Sequence, residues 1–225
     1  MSGAEAAAAR NAFSSVLIVE DYPLVREGIV ALLNQGRGYV VCGEADDAES
    51  ALRMVEEHRP DIVCLDLRLG DVDGFDLIRQ MRAIHPSSRI LVISMYGEDM
   101  YAERSLAAGA VGYIMKSEPP ERILEALDEI RKGRVFVSRR ISSQVLNRIK
   151  NPGRDPVRGI KVLTDRELQI FQLIGLGYQT RQIAQRLGIG VKTVETHREN
   201  IKTKLGLDHA VALVREATVW VRQRQ

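Results

Sequence analysis

"DIVCLDLRLGDVDG", residues 61–74, opens on an apolar run, Ile62 to Leu65, and sets Asp66 directly behind it. Unbroken apolar residues, without the alternation of a half-exposed strand, belong to a strand covered on both faces. Asp66 then stands at the carboxyl end of that strand. Four more short apolar runs follow the same rule: Val16–Val19, Val40–Cys42, Ile90–Ile93 and Gly112–Met115. Between the runs lie stretches with helical spacing, among them Val25, Ile29, Leu32 and Leu33, and Ala48, Ala51, Leu52 and Val55. After Lys116 a stripe of Ile123, Leu124, Leu127 and Ile130 predicts a further helix, with Ser117 as its cap and Pro119 and Pro120 in its first positions. Strand and helix alternate five times, which predicts an α/β domain built on a doubly wound, five-stranded parallel sheet.

Hydrophobic residues make up 45% of the 225 and charged residues 28%, an ordinary globular composition. No apolar run approaches the ~20 residues of a membrane helix. The opening MSGAEAAAAR has neither a basic start nor an apolar core of a signal peptide, so residues 1–13 read as a frayed tail and the chain as cytoplasmic, with no membrane partner. Cys42 and Cys64 each sit in an apolar run, as buried small hydrophobes in a reducing compartment do. The net charge of +2 hides an asymmetry: residues 1–150 hold 19 Lys/Arg against 23 Asp/Glu, and residues 151–225 hold 13 against 7. An acidic front suits cation binding, and a basic C-terminal part points to a polyanionic partner.

Past Gly133 the periodicity weakens, and NPGRDPVRG at 151–159 carries two prolines and two glycines among charges. The expected division is a first domain over 14–135, a linker over 136–160 and an all-helical domain over 161–225. Thr164-Asp-Arg-Glu167 has the pattern of a capping box. Thr180, Ile183, Ala184 and Leu187 predict a short helix ending at Gly188, a third helix runs from about Val191 to Leu205, and Asp208 is expected to cap a fourth bearing Val211, Leu213, Val214 and Trp220.

In open parallel sheets ligands sit outside the carboxyl ends of the strands. The residues at those ends are Glu20 and Asp21, Asp66, Ser94 and Lys116, all polar. Three carboxylates crowded together repel one another and take up protons unless a cation compensates. An oxygen-only set suits a hard ion, and Mg²⁺ fits because it accepts one or two carboxylates and keeps room for water and a phosphate oxygen. Phosphoryl transfer to Asp66 would use every member, with Lys116 and the Ser94 hydroxyl gripping the incoming group. A plain ion pair of Lys116 with Glu20 or Asp66 is the competing account of any single residue.

Glu20-Asp21, Asp66, Ser94, Tyr113 and Lys116 resemble, in order and strand context, the acidic pair, phosphorylated Asp, hydroxyl switch, aromatic switch and lysine of response-regulator receiver domains, which have a flavodoxin-like fold. The resemblance spans about residues 14–135. It implies a sensor histidine kinase as phosphodonor and Mg²⁺ held by Asp21, Asp66 and the backbone carbonyl of Arg68, with Glu20 reaching the metal through water. It also implies that phosphorylation draws Ser94 toward the phosphoryl group and lets Tyr113 turn inward. The loop Arg68-Leu69-Gly70-Asp71-Val72-Asp73-Gly74 departs from the pattern, lacking a proline before its first glycine and carrying an added acid at Asp71. Asp71-Val-Asp73-Gly74 also resembles the nucleophile motif of haloacid dehalogenase-like phosphatases, though that motif should follow its strand directly. His58 and His85, each just before a proline, read as helix-end residues.

Two short helices across Leu187-Gly-Ile-Gly190 have helix-turn-helix spacing. On periodicity alone the second could be an ordinary solvated helix. The stretch "RQIAQRLGIGVKTVETHRENIKTKLG" (181–206), however, resembles the DNA-binding domain of the LuxR/NarL/FixJ class through turn and recognition helix together. That resemblance implies a helix in the major groove, with Glu195, Thr196 and Glu199 facing base edges, and Lys192, Thr193, His197, Arg198 and Lys202 toward phosphates. Thr180 and Gln182 would contribute from the preceding helix, and the last helix would serve dimerisation.

Together these features predict a non-enzymatic two-component response regulator and transcription factor. Phosphorylation of Asp66 by a sensor kinase, with Mg²⁺, would release the helix-turn-helix domain to dimerise on promoter DNA. The alternatives are a regulator that binds DNA without phosphorylation, a phosphatase-like hydrolase with an accessory helical domain, and a small-molecule sensor. The last would need an aromatic-lined pocket, against an aromatic content of 5%.

Overall fold

Five parallel strands, β1 (Ser14–Val19), β2 (Tyr39–Ala45), β3 (Ile62–Leu65), β4 (Arg89–Ser94) and β5 (Gly112–Met115), hydrogen-bond in the order β2-β1-β3-β4-β5. Every side chain of β3 is buried, as its unbroken apolar run requires. The computed structural model describes residues 13–35, 38–70, 72–150 and 160–222. Residues 1–12 of the expected tail, Asp71 and the 151–159 stretch of the expected linker lie outside them. The chain divides into two compact units, Met1–Asn151 and Pro152–Gln225.

In the first unit the strands alternate with α1 (Pro23–Gln35), α2 (Ala48–His58), α3 (Gly74–Ile84), α4 (Glu98–Ala108) and α5 (Glu121–Arg131). Side chains of a strand point alternately to its two faces, so each strand feeds two cores. Val16, Ile18, Ile62, Cys64, Leu91, Ile93 and Ile114 pack with Ile29 and Leu33 of α1 and Leu127 and Ile130 of α5. The alternate residues face α2, α3 and α4, whose buried stripes include Val55, Ile78, Met81 and Tyr101. Cys42 bulges out of the β1–β2 register, where Val16 faces Val41 and Leu17 faces Gly43. Both cysteines are free, and burial pushes the Cys64 thiol up to about 12.

Two features of this unit differ from expectation. α5 starts at Glu121 with Pro120 in its cap position and no side-chain cap, so Ser117 does not cap it. Pro120 has φ −55° and ψ −29°, already helical, and its ring preorganises the entry in place of a hydroxyl. Residues 136–150, read as linker, are ordered structure: Phe136 forms a parallel bridge with Gly112, and Arg139–Lys150 is a helix, α6, in the first unit. Its Ile141 is buried.

The second unit begins with a 3₁₀ turn, Ile160–Val162, followed by α7 (Asp165–Gly175), α8 (Thr180–Leu187), α9 (Val191–Leu205) and α10 (Ala210–Arg222). The capping box is formed: the Thr164 hydroxyl accepts from Glu167 N at 3.3 Å, and the Glu167 carboxylate accepts from Thr164 N at 2.8 Å. α8 ends at Gly188, whose φ of 68° makes the tight turn into α9. Leu213 N bonds to His209 O, so the cap position of α10 falls on His209 and not on Asp208. Phe171 and Trp220 meet edge to face, 5.5 Å between centroids, and Gly175 lets α7 approach α10 so closely that a Cβ would lie 2.4 Å from Ala217 O.

Two glycine substitutions test this packing. Gly175→Val forces α7 off α10 and is expected to cost about 2–3 kcal/mol, read as a lower denaturant midpoint of the helical unit. Gly28→Ala, inside α1 with nothing within 4 Å, is expected to stabilise the first unit by about 0.5–1 kcal/mol.

Candidate functional site

Parallel pairing of β1, β3, β4 and β5 brings the residues at their carboxyl ends to one edge. Glu20 N donates to Ala45 O and Asp66 N to Val19 O, both at 2.9 Å, so the ladder continues one residue past each strand and fixes both backbones. Lys116 N donates to Ser94 O at 2.8 Å, tying the end of β5 to that of β4. Glu20, Asp66 and Ser94 are all buried, at 2%, 3% and 0% exposure.

Among the described residues, one cation serves the two buried carboxylates. Lys116 Nζ lies 2.5 Å from Glu20 Oε2 and 2.7 Å from Asp66 Oδ2. Burial, opposed by Lys116, raises the Asp66 carboxyl above the usual carboxylate range, and Asp21 adds to the rise. Burial likewise raises Glu20 against the pull of Lys116, with Asp66 adding to it. Asp21 completes the cluster: one oxygen from each of Glu20, Asp21 and Asp66 lies within 4.8 Å of the others. Asp21 Oδ1 is buried without a hydrogen-bond partner. Three carboxylates against one ammonium, with an orphaned acceptor among them, fit a hard divalent cation bound through oxygen.

Backbone amides hold the cluster from below, Tyr22 N donating to Glu20 Oε1 and Arg68 N to Asp66 Oδ1, each at 3.2 Å. Arg26 donates to the Glu20 carbonyl at 2.7 Å and pairs with Glu44 at 3.3 Å. The loop after Asp66, which lacks a proline, is pinned instead by a short antiparallel ladder of Arg68–Leu69 on Val72–Asp73. Asp73, the second acid of the phosphatase-like run, accepts from Phe75 N and Asp76 N and so caps α3. Tyr113 is buried, and its hydroxyl donates to Tyr96 O at 2.7 Å, while Tyr96 N donates to Ser94 Oγ at 3.3 Å. Its ring is therefore already inside, where the resemblance implied an inward turn on phosphorylation.

In the second unit, α9 buries Val194 and Ile201 and turns Lys192, Thr193, Glu195, Thr196 and Glu199 to solvent. His197, Arg198 and Lys202 are half-buried toward the core side. Lys202 pairs with Glu199 at 2.8 Å, and the Thr196 hydroxyl donates to Lys192 O at 3.0 Å. Thr180 is half-buried at the start of α8, and the exposed Gln182 accepts from Gln179 N at 2.9 Å as a helix cap. Asn200 and Thr203 share the exposed face of α9 and were not among the expected residues. Thr203 stands opposite Val194 and Ile201 in the helical period, beside Thr196 and Glu199, which is the signal that could have found it, whereas Asn200 lies on a flank.

A family model described as response regulator receiver domain matches residues 16–128, and one described as bacterial regulatory proteins, luxR family, matches residues 161–217. The oxygen regulatory protein NreC of Staphylococcus aureus is 33% identical over 207 residues, covering 90% of this chain and 95% of that protein. A LuxR-family two-component response regulator from Aurantimonas sp. SI85-9A1 aligns at TM-score 0.57 and 34% identity over 62% of this chain and 99% of its own. RcsB from Salmonella enterica serovar Typhimurium, bound to promoter rprA with phosphomimetic BeF3⁻, aligns at TM-score 0.58 and 25% identity over 92% and 98%.

The raised carboxyls set a pH dependence. A group whose folded pKa lies above its unfolded one favours folding most at low pH, and that contribution is lost as pH rises through the folded value. In chelator-treated buffer at pH 8, Asp66→Asn is therefore expected to stabilise the first unit on the order of 1 kcal/mol. The advantage should shrink as pH falls through the raised pKa of Asp66, a trend that urea titrations at successive pH values would read.

Proposed function

The chain belongs to the response-regulator family, joining a receiver domain to a LuxR-type helix-turn-helix domain, and on that premise we propose that Asp66 is its phospho-acceptor and that phosphorylation controls its binding to promoter DNA. The phosphodonor is a sensor histidine kinase, and DNA as partner makes the site of action the cytoplasm. The observation that carries the reading is the pocket in which Lys116 spans Glu20 and Asp66 while Asp21 keeps a buried oxygen without a partner.

Asp66 is the nucleophile. One carboxylate oxygen bonds to phosphorus as the bond from phosphorus to the kinase's histidine nitrogen breaks, and the freed imidazole takes up a proton from solvent. Lys116 moves from ion-pairing with Asp66 to holding a phosphoryl oxygen, and the Ser94 hydroxyl donates to another. Glu20, Asp21, Asp66 and the carbonyl of Arg68 are the residues that would hold Mg²⁺. Bound there, the ion supplies the positive charge that offsets the crowded acids and the phosphoryl oxygens.

Glu195, Thr196 and Glu199 read base edges in the major groove, where a glutamate accepts from a cytosine amino group. Lys192, Thr193, His197, Arg198 and Lys202, with Thr180 and Gln182, contact phosphates. The receiver-to-helix coupling favours a homodimer on paired half-sites. Tyr113, already inside and bonded to Tyr96 O, favours a second reading, in which DNA binding does not require phosphorylation.

Acetyl phosphate with Mg²⁺ is expected to add one phosphoryl group to the wild type by intact mass and none to Asp66→Asn or to chelator-treated protein. DNA selected from a random pool should bind the phosphorylated protein about tenfold more tightly than the unphosphorylated one. Phosphoryl uptake without any gain in affinity supports the second reading, and no uptake overturns the first. Glu199→Lys should change which bases are selected.

A further inference from the structure

We propose that residues 136–141 form a latch holding α6 on the receiver, and that phosphorylation of Asp66 loosens it. The inference rests on the phospho-acceptor reading above and adds the segment of chain that answers to it.

The latch is a closed circuit of short contacts beginning at Ser94. Ser94 Oγ accepts from Tyr96 N, and Tyr96 O accepts from the Tyr113 hydroxyl. Tyr113 N donates in turn to Phe136 O, and Phe136 N donates to Val111 O, both at 2.9 Å, so Phe136 is stitched to the outer edge of β5. Arg122 of α5 covers the Phe136 ring, 4.8 Å from its centroid. Two residues beyond Tyr96, Glu98 Oε1 in the first turn of α4 accepts from Ser138 Oγ at 2.9 Å and from Arg140 Nη2 at 3.2 Å. Arg140 also pairs with Asp99 at 2.6 Å. Ser138 Oγ then accepts from Ile141 N at 3.2 Å, starting α6, and Ile141 is 1% exposed.

Arg140 is 57% exposed, so its ion pairs alone hold little. The hold comes from adding them to the Phe136 bridge and the buried Ile141. The combination is placed to be switched, because both ends of the circuit converge on the Ser94–Glu98 loop. When the Ser94 hydroxyl turns to a phosphoryl oxygen, the Tyr96 amide loses its acceptor and the loop moves toward the site. Glu98 is carried with it, away from Ser138 and Arg140. Phosphorylation thereby weakens the contacts that start α6 without touching that helix, and α6 is, among the described residues, the last helix of the first unit. Two discrete arrangements of one loop supply the bistable element that such coupling requires.

Hydrogen–deuterium exchange on the full-length protein tests the latch, with beryllium fluoride and Mg²⁺ as the probe and phosphoryl uptake from acetyl phosphate measured in parallel. In the wild type, peptides from 139–150 are expected to exchange several-fold faster with the probe than without it. In Glu98→Ala, which removes the acceptor of both Ser138 and Arg140, they should exchange at the faster rate from the start and no longer respond, while Arg140→Ala alone shifts them only slightly and all three proteins take up phosphate equally. Wild-type peptides indifferent to the probe, in protein whose Asp66 does take up phosphate, overturn the latch and leave the phospho-acceptor reading standing. A Glu98→Ala protein that matches wild type overturns it as well. Failure of Asp66 to take up phosphate overturns the phospho-acceptor reading, and the latch loses its trigger with it.

Discussion

A single ammonium group shared by two buried carboxylates is the constraint on which the first unit turns. Lys116 reaches Glu20 and Asp66 only because the hydrogen-bond ladders of β1, β3, β4 and β5 end in register at one edge. The unbroken apolar runs that place those strands inside also exclude water from the acids behind them. Burial is what raises both carboxyls, and burial is equally what makes an added positive charge effective there. The sheet is thus stable as hydrocarbon and unsatisfied as an electrostatic object. The second property gives the family's chemistry a place to happen.

The helical unit shows the same division of labour on a smaller scale. Val194 and Ile201 commit one side of α9 to the core, and the period of the helix then delivers Lys192, Thr196, Glu199 and Thr203 to the opposite side. Groups on that side are partly occupied locally: Glu199 pairs with the half-buried Lys202, and the Thr196 hydroxyl is back-bonded to Lys192 O. Any partner that meets this side of α9 would compete with a local contact before it gains a new one.

Much of this was legible in the sequence because strand ends and helix periods are local patterns. Five apolar runs fixed five strands, and Thr164 with Glu167 gave a capping box that formed as expected. α6 was missed because RRISSQVLNRIK is polar along most of its length, and its anchor is a long-range set of partners on β5 and α4 that no local period reveals. Ser117 failed as a cap because Pro120 was already in helical geometry, and Asp208 because the first bonded carbonyl belongs to His209. The inward Tyr113 depends on a carbonyl, Tyr96 O, whose place is set by loop geometry. Spacing names the residue types at a site, but which rotamer each adopts is decided by neighbours distant in the chain.

Glu167 carries a further implication. Its Oε2 accepts from Thr164 N and also from Lys204 Nζ at 2.7 Å, so one buried carboxylate fastens the start of α7 to the last turn of α9. Arg166 adds a bond to Leu187 O at 3.1 Å, securing the tail of α8 to α7. These bonds fasten three helices to one another before any partner meets α9, so an encounter there has little helix packing left to order.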